Sequence, residues 1–127
     1  MKNSGGFGIG VDIEDIERFA KLHRTEDKLF LKKIFTAREL DYCFSKNDPA
    51  AHLAVRFCAK EAVVKALQSI GELSLPYANI EIIKPSRGAP YVRLIRKQNN
   101  LHVAISLSHT KDVALASALA ARKSIFQ

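Results

Sequence analysis

The sequence has few of the residues that would tie it to a thiolate metal centre, a disulfide scaffold or a membrane. It contains no tryptophan, one methionine and two cysteines. Cys43 and Cys58 form no C-x-x-C pair and are too few for a zinc site, so we expect free, buried thiols. No apolar run is long enough to cross a membrane, and the N-terminal residues lack the apolar region of a signal peptide. These absences predict a cytoplasmic protein without a membrane partner.

Acidic residues are also in deficit. The chain has 13 Asp and Glu residues against 20 Lys and Arg residues, which gives a formal net charge of +7. Such a surface attracts nucleic acid, an anionic membrane or an acidic protein, and charge alone does not choose among them. Apolar residues occupy 47% of the 127 positions, so we expect one globular domain over residues 1–127.

Residues 7–13 alternate bulky apolar side chains with two glycines and an aspartate. This pattern predicts a strand with one bulky face and one bare face. Asp12 shares the bare face with Gly8 and Gly10, where a ligand can approach the backbone closely. The alternative is that Asp12 caps a following helix. A dinucleotide-binding fingerprint is excluded, because its third glycine would fall at Ile13.

The order of the local signals indicates the fold class. Helices are expected at residues 15–23, 26–35 and 49–68, and a capping box of Thr36 and Glu39 opens a short helix before the last of these. Further strands are expected at residues 79–84, 91–95, 101–107 and 113–119. Helices first and antiparallel strands later predict a compact α+β domain, with helices packed on a mainly antiparallel sheet.

The longest predicted helix carries charged residues on otherwise apolar faces. Glu61 and Lys65 are spaced for a surface ion pair, and Lys60 lies among leucines. A helix that is apolar all round is usually buried, and buried charges must be paired or bind an ion. A buried structural ion pair therefore remains an alternative to a functional site. Together, Asp12 and Glu61 with nearby lysines suggest a hard metal ion that holds a phosphorylated ligand.

His109 follows a predicted strand and is flanked by hydroxyl residues, Ser106, Ser108 and Thr110. One interpretation is a turn histidine satisfied by a local hydrogen bond. The other is a polar rim for phosphate oxygens. Spacing alone does not show whether His109 lies near Asp12 or Glu61.

Basic residues recur along the first helical stretch at Arg18, Lys21, Arg24 and Lys28. They form either a solvated face or a docking strip for an acidic partner. No aromatic residues are interleaved as in binders of single-stranded nucleic acid, which disfavours a nucleic-acid partner.

Three segments in order resemble the motifs of holo-acyl-carrier-protein synthase, a 4′-phosphopantetheinyl transferase. They are GIGVDIExxERF at residues 8–19, RFxxKEAxxKA at 56–66 and SLSHT at 106–110. TAREL at residues 36–40 and GAPY at 88–91 are weaker matches. The resemblance covers nearly the whole chain and implies that family's fold.

The resemblance also implies an activity. The family moves 4′-phosphopantetheine from coenzyme A to a serine of an apo acyl carrier protein, releases adenosine 3′,5′-bisphosphate and supports fatty acid biosynthesis. Mg²⁺ is expected at Asp12 and Glu61. The short members of the family are homotrimers with active sites between neighbouring subunits.

Roles for other residues follow from the same resemblance. Glu61, Lys65 and His109 are expected to be catalytic, and the general base stays open between a metal-bound water, Glu61 and another carboxylate. The expected coenzyme A contacts are Arg56, Lys65, Gly88, Pro90, His109 and Thr110. Arg18, Lys21, Arg24 and Lys28 become the surface that docks the acidic carrier protein.

The sequence departs from the family pattern at Gln68, Ala89 and Val113. These positions put coenzyme A affinity and carrier preference in question more than the chemistry. Two alternatives remain: a basic nucleic-acid-binding domain, and a non-catalytic relative that binds only carrier protein or coenzyme A. The first explains the net charge but leaves Asp12 and Glu61 without a role.

Overall fold

The computed structural model describes residues 6–96 and 100–123. Strand β1 spans Phe7–Asp15 and is followed by four helices: α1 at Glu17–Ala20, α2 at Lys28–Ile34, α3 at Ala37–Phe44 and α4 at Pro49–Ser69. A 3-10 turn at Tyr77–Asn79 leads into the remaining strands. These are β2 at Ile80–Ile83, β3 at Tyr91–Leu94, β4 at Leu101–His109 and β5 at Val113–Arg122. The predicted α+β class is confirmed.

Two antiparallel sheets carry the strands. A three-stranded sheet has the order β1-β5-β4, and a two-stranded sheet pairs β2 with β3. In the larger sheet Asp12 lies opposite Ala116 and Glu14 opposite Ala114. Alanine occupies every second position of β5 from Ala114 to Ala120, and these side chains are buried. Small side chains on this face let α4 pack closely against the sheet.

The two glycines of β1 serve the same packing. A Cβ on Gly8 would lie 2.0 Å from the carbonyl oxygen of Ala66, and one on Gly10 would lie 1.9 Å from that of Ala62. The prediction that a ligand approaches the backbone at these glycines is therefore wrong, because helix α4 occupies the space. Asp12 lies on the same face of β1 as the two glycines, close to Glu61 of α4.

Two predicted boundaries differ near the N-terminus. Strand β1 runs to Asp15, and only Glu17–Ala20 is helical within the predicted helix at 15–23. The strand continues because Asp15 pairs with Val113, and the amide of Ile16 then bonds to the carbonyl of Asp112 at 2.9 Å. These long-range partners outweigh the local helical pattern.

The other sequence signals are largely confirmed. Thr36 and Glu39 form the predicted capping box of α3, and Pro49 is the first residue of α4. Cys43 and Cys58 are free and buried. Among the described helices, none is long and apolar enough to cross a membrane.

The buried lysine of α4 has a complete set of partners. The ammonium group of Lys60 donates to Glu39 Oε1 at 2.8 Å and to the carbonyls of Tyr77 and Ile80 at 2.9 and 2.5 Å. Glu39 also accepts from the amide of Ile82 at 2.8 Å. Burial lowers the pKa of Lys60, while the Glu39 carboxylate opposes that shift. This pair ties α3 and α4 to the smaller sheet.

Candidate active site

Three carboxylates meet where β1 passes the middle of α4. One side-chain oxygen from each of Asp12, Glu14 and Glu61 lies within 4.8 Å of the other two. Asp12 and Glu14 are two residues apart on a strand and therefore point to the same face. Because α4 packs on that face, the side chain of Glu61 lies close to both of these carboxylates. Oxygen ligands at this spacing suit a hard divalent cation.

Asp12 is held by neighbours on one side and left unsatisfied on the other. Its Oδ1 accepts from Lys65 Nζ at 3.3 Å, and its backbone carbonyl accepts from Cys58 Sγ at 3.0 Å. Its Oδ2 is buried and has no hydrogen-bond partner among the described residues. The alternative of a helix N-cap is wrong, because α1 begins at Glu17 with Ile16 as its cap residue. An unsatisfied buried carboxylate oxygen needs a ligand, a water or an ion.

Lys65 lies one helical turn after Glu61 and turns towards β1. Its ammonium group donates to the carbonyl of Val11 at 2.9 Å and forms its salt bridge with Asp12. The alternative of a surface ion pair between Glu61 and Lys65 is replaced by this contact between helix and strand. About half of the Lys65 side chain stays exposed, so the ammonium group remains accessible to a ligand.

The sequence reasoning missed Glu14. This residue forms a salt bridge with Arg18, four residues later in the chain. The pKa of Glu14 is raised from its ordinary 4.5 to about 7: burial is the largest cause, a hydrogen bond to Asp12 and the charge of Asp12 add to it, and Arg18 opposes it. The alternation of β1 could have revealed Glu14, since a residue two positions from Asp12 lies on the same face of the strand.

Glu61 is positioned by an aromatic neighbour. The hydroxyl of Tyr77 donates to Glu61 Oε1. The ring of Tyr77 stands edge-on to that of Phe57, with centroids 5.4 Å apart. The hydrogen bond to the carboxylate, together with burial, raises the pKa of Tyr77 to about 12. No motif singled out Tyr77, because it comes from the segment between α4 and β2.

His109 lies near the carboxylates but outside their cluster. It pairs with Ala114, which in turn pairs with Glu14, so the three residues occupy one row across the sheet. Two strand spacings separate His109 from Glu14, roughly 10 Å. The His109 ring approaches the carbonyl of Thr110 at 3.1 Å, and the Thr110 hydroxyl accepts from the amide of Val113 at 3.1 Å. Both residues thus make the local turn contacts of the simpler interpretation.

Several basic residues lie close together near the first half of α4. Arg56 is buried, its guanidinium carbon lies 4.1 Å from the ring centroid of Tyr42, and it donates to the carbonyl of His52 at 3.3 Å. Its Nε has no hydrogen-bond partner among the described residues. Burial lowers the pKa of His52, and the positive charges of Arg56, Lys46 and His109 lower it further. Arg56, Lys46 and His109 therefore form a positive region around His52, whose own imidazole is held in its neutral form.

The fold and these motifs have known counterparts. The sequence profile described as the 4′-phosphopantetheinyl transferase superfamily matches residues 8–118. The chain belongs to that superfamily. A holo-[acyl-carrier-protein] synthase of Chlamydia trachomatis is 46% identical over 118 residues, which cover 90% of this chain and 98% of the relative.

Solved structures agree with this family assignment. The Helicobacter pylori holo-[acyl-carrier-protein] synthase in complex with coenzyme A is 30% identical with a TM-score of 0.73, and the match covers 89% of this chain and 99% of that one. A synthase–coenzyme A complex from Chronobacterium ammoniagenes is 27% identical with a TM-score of 0.74, covering 92% and 98%. The predicted family resemblance is confirmed.

In this member of the transferase superfamily, the β2–β3 hairpin carries two predicted coenzyme A contacts, Gly88 and Pro90. Gly88 has a φ of 98°, a left-handed conformation that favours glycine. Its carbonyl accepts from Lys84 Nζ at 3.1 Å. These features explain Gly88 as a turn residue, and its role in binding stays a prediction.

The predicted docking strip of this transferase is not one helix face. Arg18 lies in the four-residue helix α1, Lys21 and Arg24 follow in a turn, and Lys28 begins α2. All four are exposed, but Arg18 pairs with Glu14 and Arg24 pairs with Asp41. An open cavity of about 1050 Å³ lies beside the strip. It is lined by Asp15, Ile16, Glu17, Arg18, Lys21, Lys111 and Asp112.

Proposed function

We propose that this chain is a holo-[acyl-carrier-protein] synthase. It transfers 4′-phosphopantetheine from coenzyme A to a serine hydroxyl of an apo acyl carrier protein. The serine oxygen forms a bond to the pantetheine-bearing phosphorus, the pyrophosphate bond breaks, adenosine 3′,5′-bisphosphate leaves and the serine proton is released. The observation that carries this proposal is the cluster of Asp12, Glu61 and Lys65 in the fold of the transferase superfamily.

The residues present fit a magnesium ion. The three carboxylates offer hard oxygen ligands within 4.8 Å of one another, and Asp12 keeps one buried oxygen without a partner among the described residues. Asp12 and Glu61 would hold the ion, and Glu14 is close enough to contribute a third oxygen. When bound, Mg²⁺ neutralises the pyrophosphate and stabilises the negative charge that develops during transfer.

The chain itself supplies positive charge and orientation. Lys65 is anchored to β1 through Val11 and Asp12, yet its side chain is half exposed, so its ammonium group can bind a phosphate oxygen beside the carboxylates. Glu61 would act at the reacting phosphorus. His109 lies roughly 10 Å from Glu14 across the sheet, a distance that a pyrophosphate with its ribose can span, so His109 would act further along the bound coenzyme A. A carboxylate of the cluster is available to accept the serine proton.

We assign the nucleotide end of coenzyme A to the positive region. Arg56 supplies a buried guanidinium with an unused Nε–H, and His109 and Thr110 add polar groups at the end of β4. Gly88 and Pro90 would border this end from the β2–β3 hairpin. Ala89 stands where the family commonly has a basic residue, which reduces the positive charge available there, and Val113 lines a small cavity together with Glu14 and Arg18.

A homotrimer is part of the proposal. The outer face of the three-stranded sheet exposes a band of bulky apolar residues, with Ile9 at 71% and Ile13 at 65% exposure. Its members are Phe7, Ile9, Val11, Ile13, Leu115 and Leu119. An apolar patch of this kind on a small chain marks a contact with another protein. A neighbouring subunit would cover it and complete each active site.

The remaining assignments concern the partner and the setting. Arg18, Lys21, Arg24 and Lys28 would attract an acidic acyl carrier protein to the edge of the carboxylate cluster, since Arg18 contacts Glu14 directly. We place the single transferase domain, residues 1–127, in the cytoplasm and in fatty acid biosynthesis. Neither a nucleic acid nor a membrane is included as a partner.

The decisive experiment is the intact mass of an apo acyl carrier protein after incubation with this protein, coenzyme A and Mg²⁺. We expect a gain of one phosphopantetheine that disappears when a chelator is added. The absence of any gain with several apo carriers, from a folded sample, would contradict the proposal. A mass gain that persists with the chelator would support the transfer reaction but contradict its dependence on Mg²⁺.

A further inference from the structure

Tyr77 touches the carboxylate cluster from a segment that carries none of the family motifs. It begins the 3-10 turn at Tyr77–Asn79, between α4 and β2. Its hydroxyl donates a hydrogen bond to Glu61 Oε1. Glu61 therefore has a defined donor on one oxygen before any ligand binds.

Three contacts with α4, through Phe57, Lys60 and Glu61, fix the position of this tyrosine. Its ring stands edge-on to Phe57 with a centroid distance of 5.4 Å, and its carbonyl accepts from Lys60 Nζ at 2.9 Å. Lys60 is itself fully buried and paired with Glu39 at 2.8 Å. Phe57, Lys60 and Glu61 lie within one helical turn and a half, so one side of α4 holds the backbone, the ring and the hydroxyl of Tyr77.

We propose that Tyr77 is a positioning residue that fixes the rotation of the Glu61 carboxylate beside Asp12 and Glu14. The inference rests on the proposed metal-dependent function. Without the hydroxyl, Glu61 could turn about its terminal torsion, which is intrinsically broad. A donor on one carboxylate oxygen restricts that rotation and presents the other oxygen to a cation. Partners of this kind typically change metal affinity by about 10- to 100-fold.

A purely structural role makes a different prediction. The ring contact with Phe57 and the bond from Lys60 to the Tyr77 carbonyl would both survive removal of the hydroxyl. The substitution Tyr77→Phe therefore keeps the packing and deletes only the bond to Glu61. Tyr91→Phe is the matched control, because Tyr91 is an exposed residue of strand β3 and loses the same atom.

The experiment measures Mn²⁺ binding by electron paramagnetic resonance, in the presence of saturating coenzyme A. We expect Tyr77→Phe to bind Mn²⁺ about tenfold more weakly than the wild type, and Tyr91→Phe to match the wild type. In the transfer assay, Tyr77→Phe should require more Mg²⁺ for half-maximal rate and recover most of its kcat when Mg²⁺ is saturating. Thermal unfolding of the metal-free proteins checks that both variants fold.

Each other result has a definite meaning. Unchanged Mn²⁺ affinity in Tyr77→Phe, while the wild type binds Mn²⁺ and transfers phosphopantetheine, would overturn this inference and leave the proposed function in place. A fall in kcat that Mg²⁺ does not restore, with unchanged Mn²⁺ affinity, would also overturn it. A wild type that neither binds Mn²⁺ nor transfers the group would overturn the proposed function, and the positioning role with it.

Discussion

Helix α4 carries two charge clusters at adjacent residues, and they differ in how completely their polar groups are satisfied. In the first cluster, Glu39 and two backbone carbonyls accept hydrogen bonds from the ammonium group of Lys60. In the second, Glu61 lies with Asp12 and Glu14, and the cationic partners of these carboxylates are Lys65 and Arg18. The first cluster is complete without a ligand and stabilises the fold. The second keeps a buried carboxylate oxygen without a partner among the described residues, which a bound ion, ligand or water would satisfy.

The sharpest test of this comparison removes the carboxylates. We expect Asp12→Ala or Glu61→Ala to abolish Mg²⁺-dependent transfer, because each substitution removes an oxygen ligand, while the fold survives. The carrier mass assay measures the first effect, and thermal unfolding measures the second. Full transfer by either variant would contradict the metal assignment.

The complementary test breaks the complete cluster. Lys60→Met should lower the free energy of unfolding by about 3–5 kcal/mol, because it leaves the buried Glu39 without its counter-charge. Lys65→Met is the control, since its half-exposed pair with Asp12 contributes roughly 0–1 kcal/mol. Urea unfolding of both variants gives the comparison. An equal loss of unfolding free energy in the two variants would show that the Lys60 cluster is no more important for stability than the Lys65 cluster.

A smaller effect concerns the basic surface beside the carboxylates. Reversing the charges of Arg18 and Arg24 should slow association with an acidic carrier protein by about tenfold at low salt, with a smaller change in coenzyme A affinity. Stopped-flow association and coenzyme A titration separate the two. Equal weakening of both ligands would count against a docking role. Added salt should shrink the difference between variant and wild type.

The smallest expected effect is a pH dependence of stability. The folded chain raises the pKa of Glu14 from 4.5 to about 7, so it holds this proton more tightly than the unfolded chain does. The stability contributed by Glu14 is therefore full below pH 4.5 and is lost as pH rises through about 7. Metal-free protein should show this decline in urea unfolding, and Glu14→Gln should flatten it. An identical pH profile in the variant would exclude Glu14 as its source.

Local signals predicted most of the elements because their causes are local. The capping box of Thr36 and Glu39, the proline that opens α4 and the alternation of β4 all depend on neighbours in sequence. The first helix was overestimated because pairing of β1 with β5 extends the strand to Asp15. That pairing joins residues about a hundred positions apart, and no local pattern contains it.

The sequence by itself determined the α+β class, the free thiols, the family resemblance and the choice of Asp12, Glu61 and Lys65 as candidate site residues. Each depends on residue types at fixed spacings, which the chain states directly. Only the tertiary structure decided that helix α4 fills the space above the glycines of β1, and that Glu14 and Tyr77 join the carboxylates. Those contacts arise where a strand, a helix and a distant turn pack together, so close packing and burial, rather than sequence spacing, select the partners.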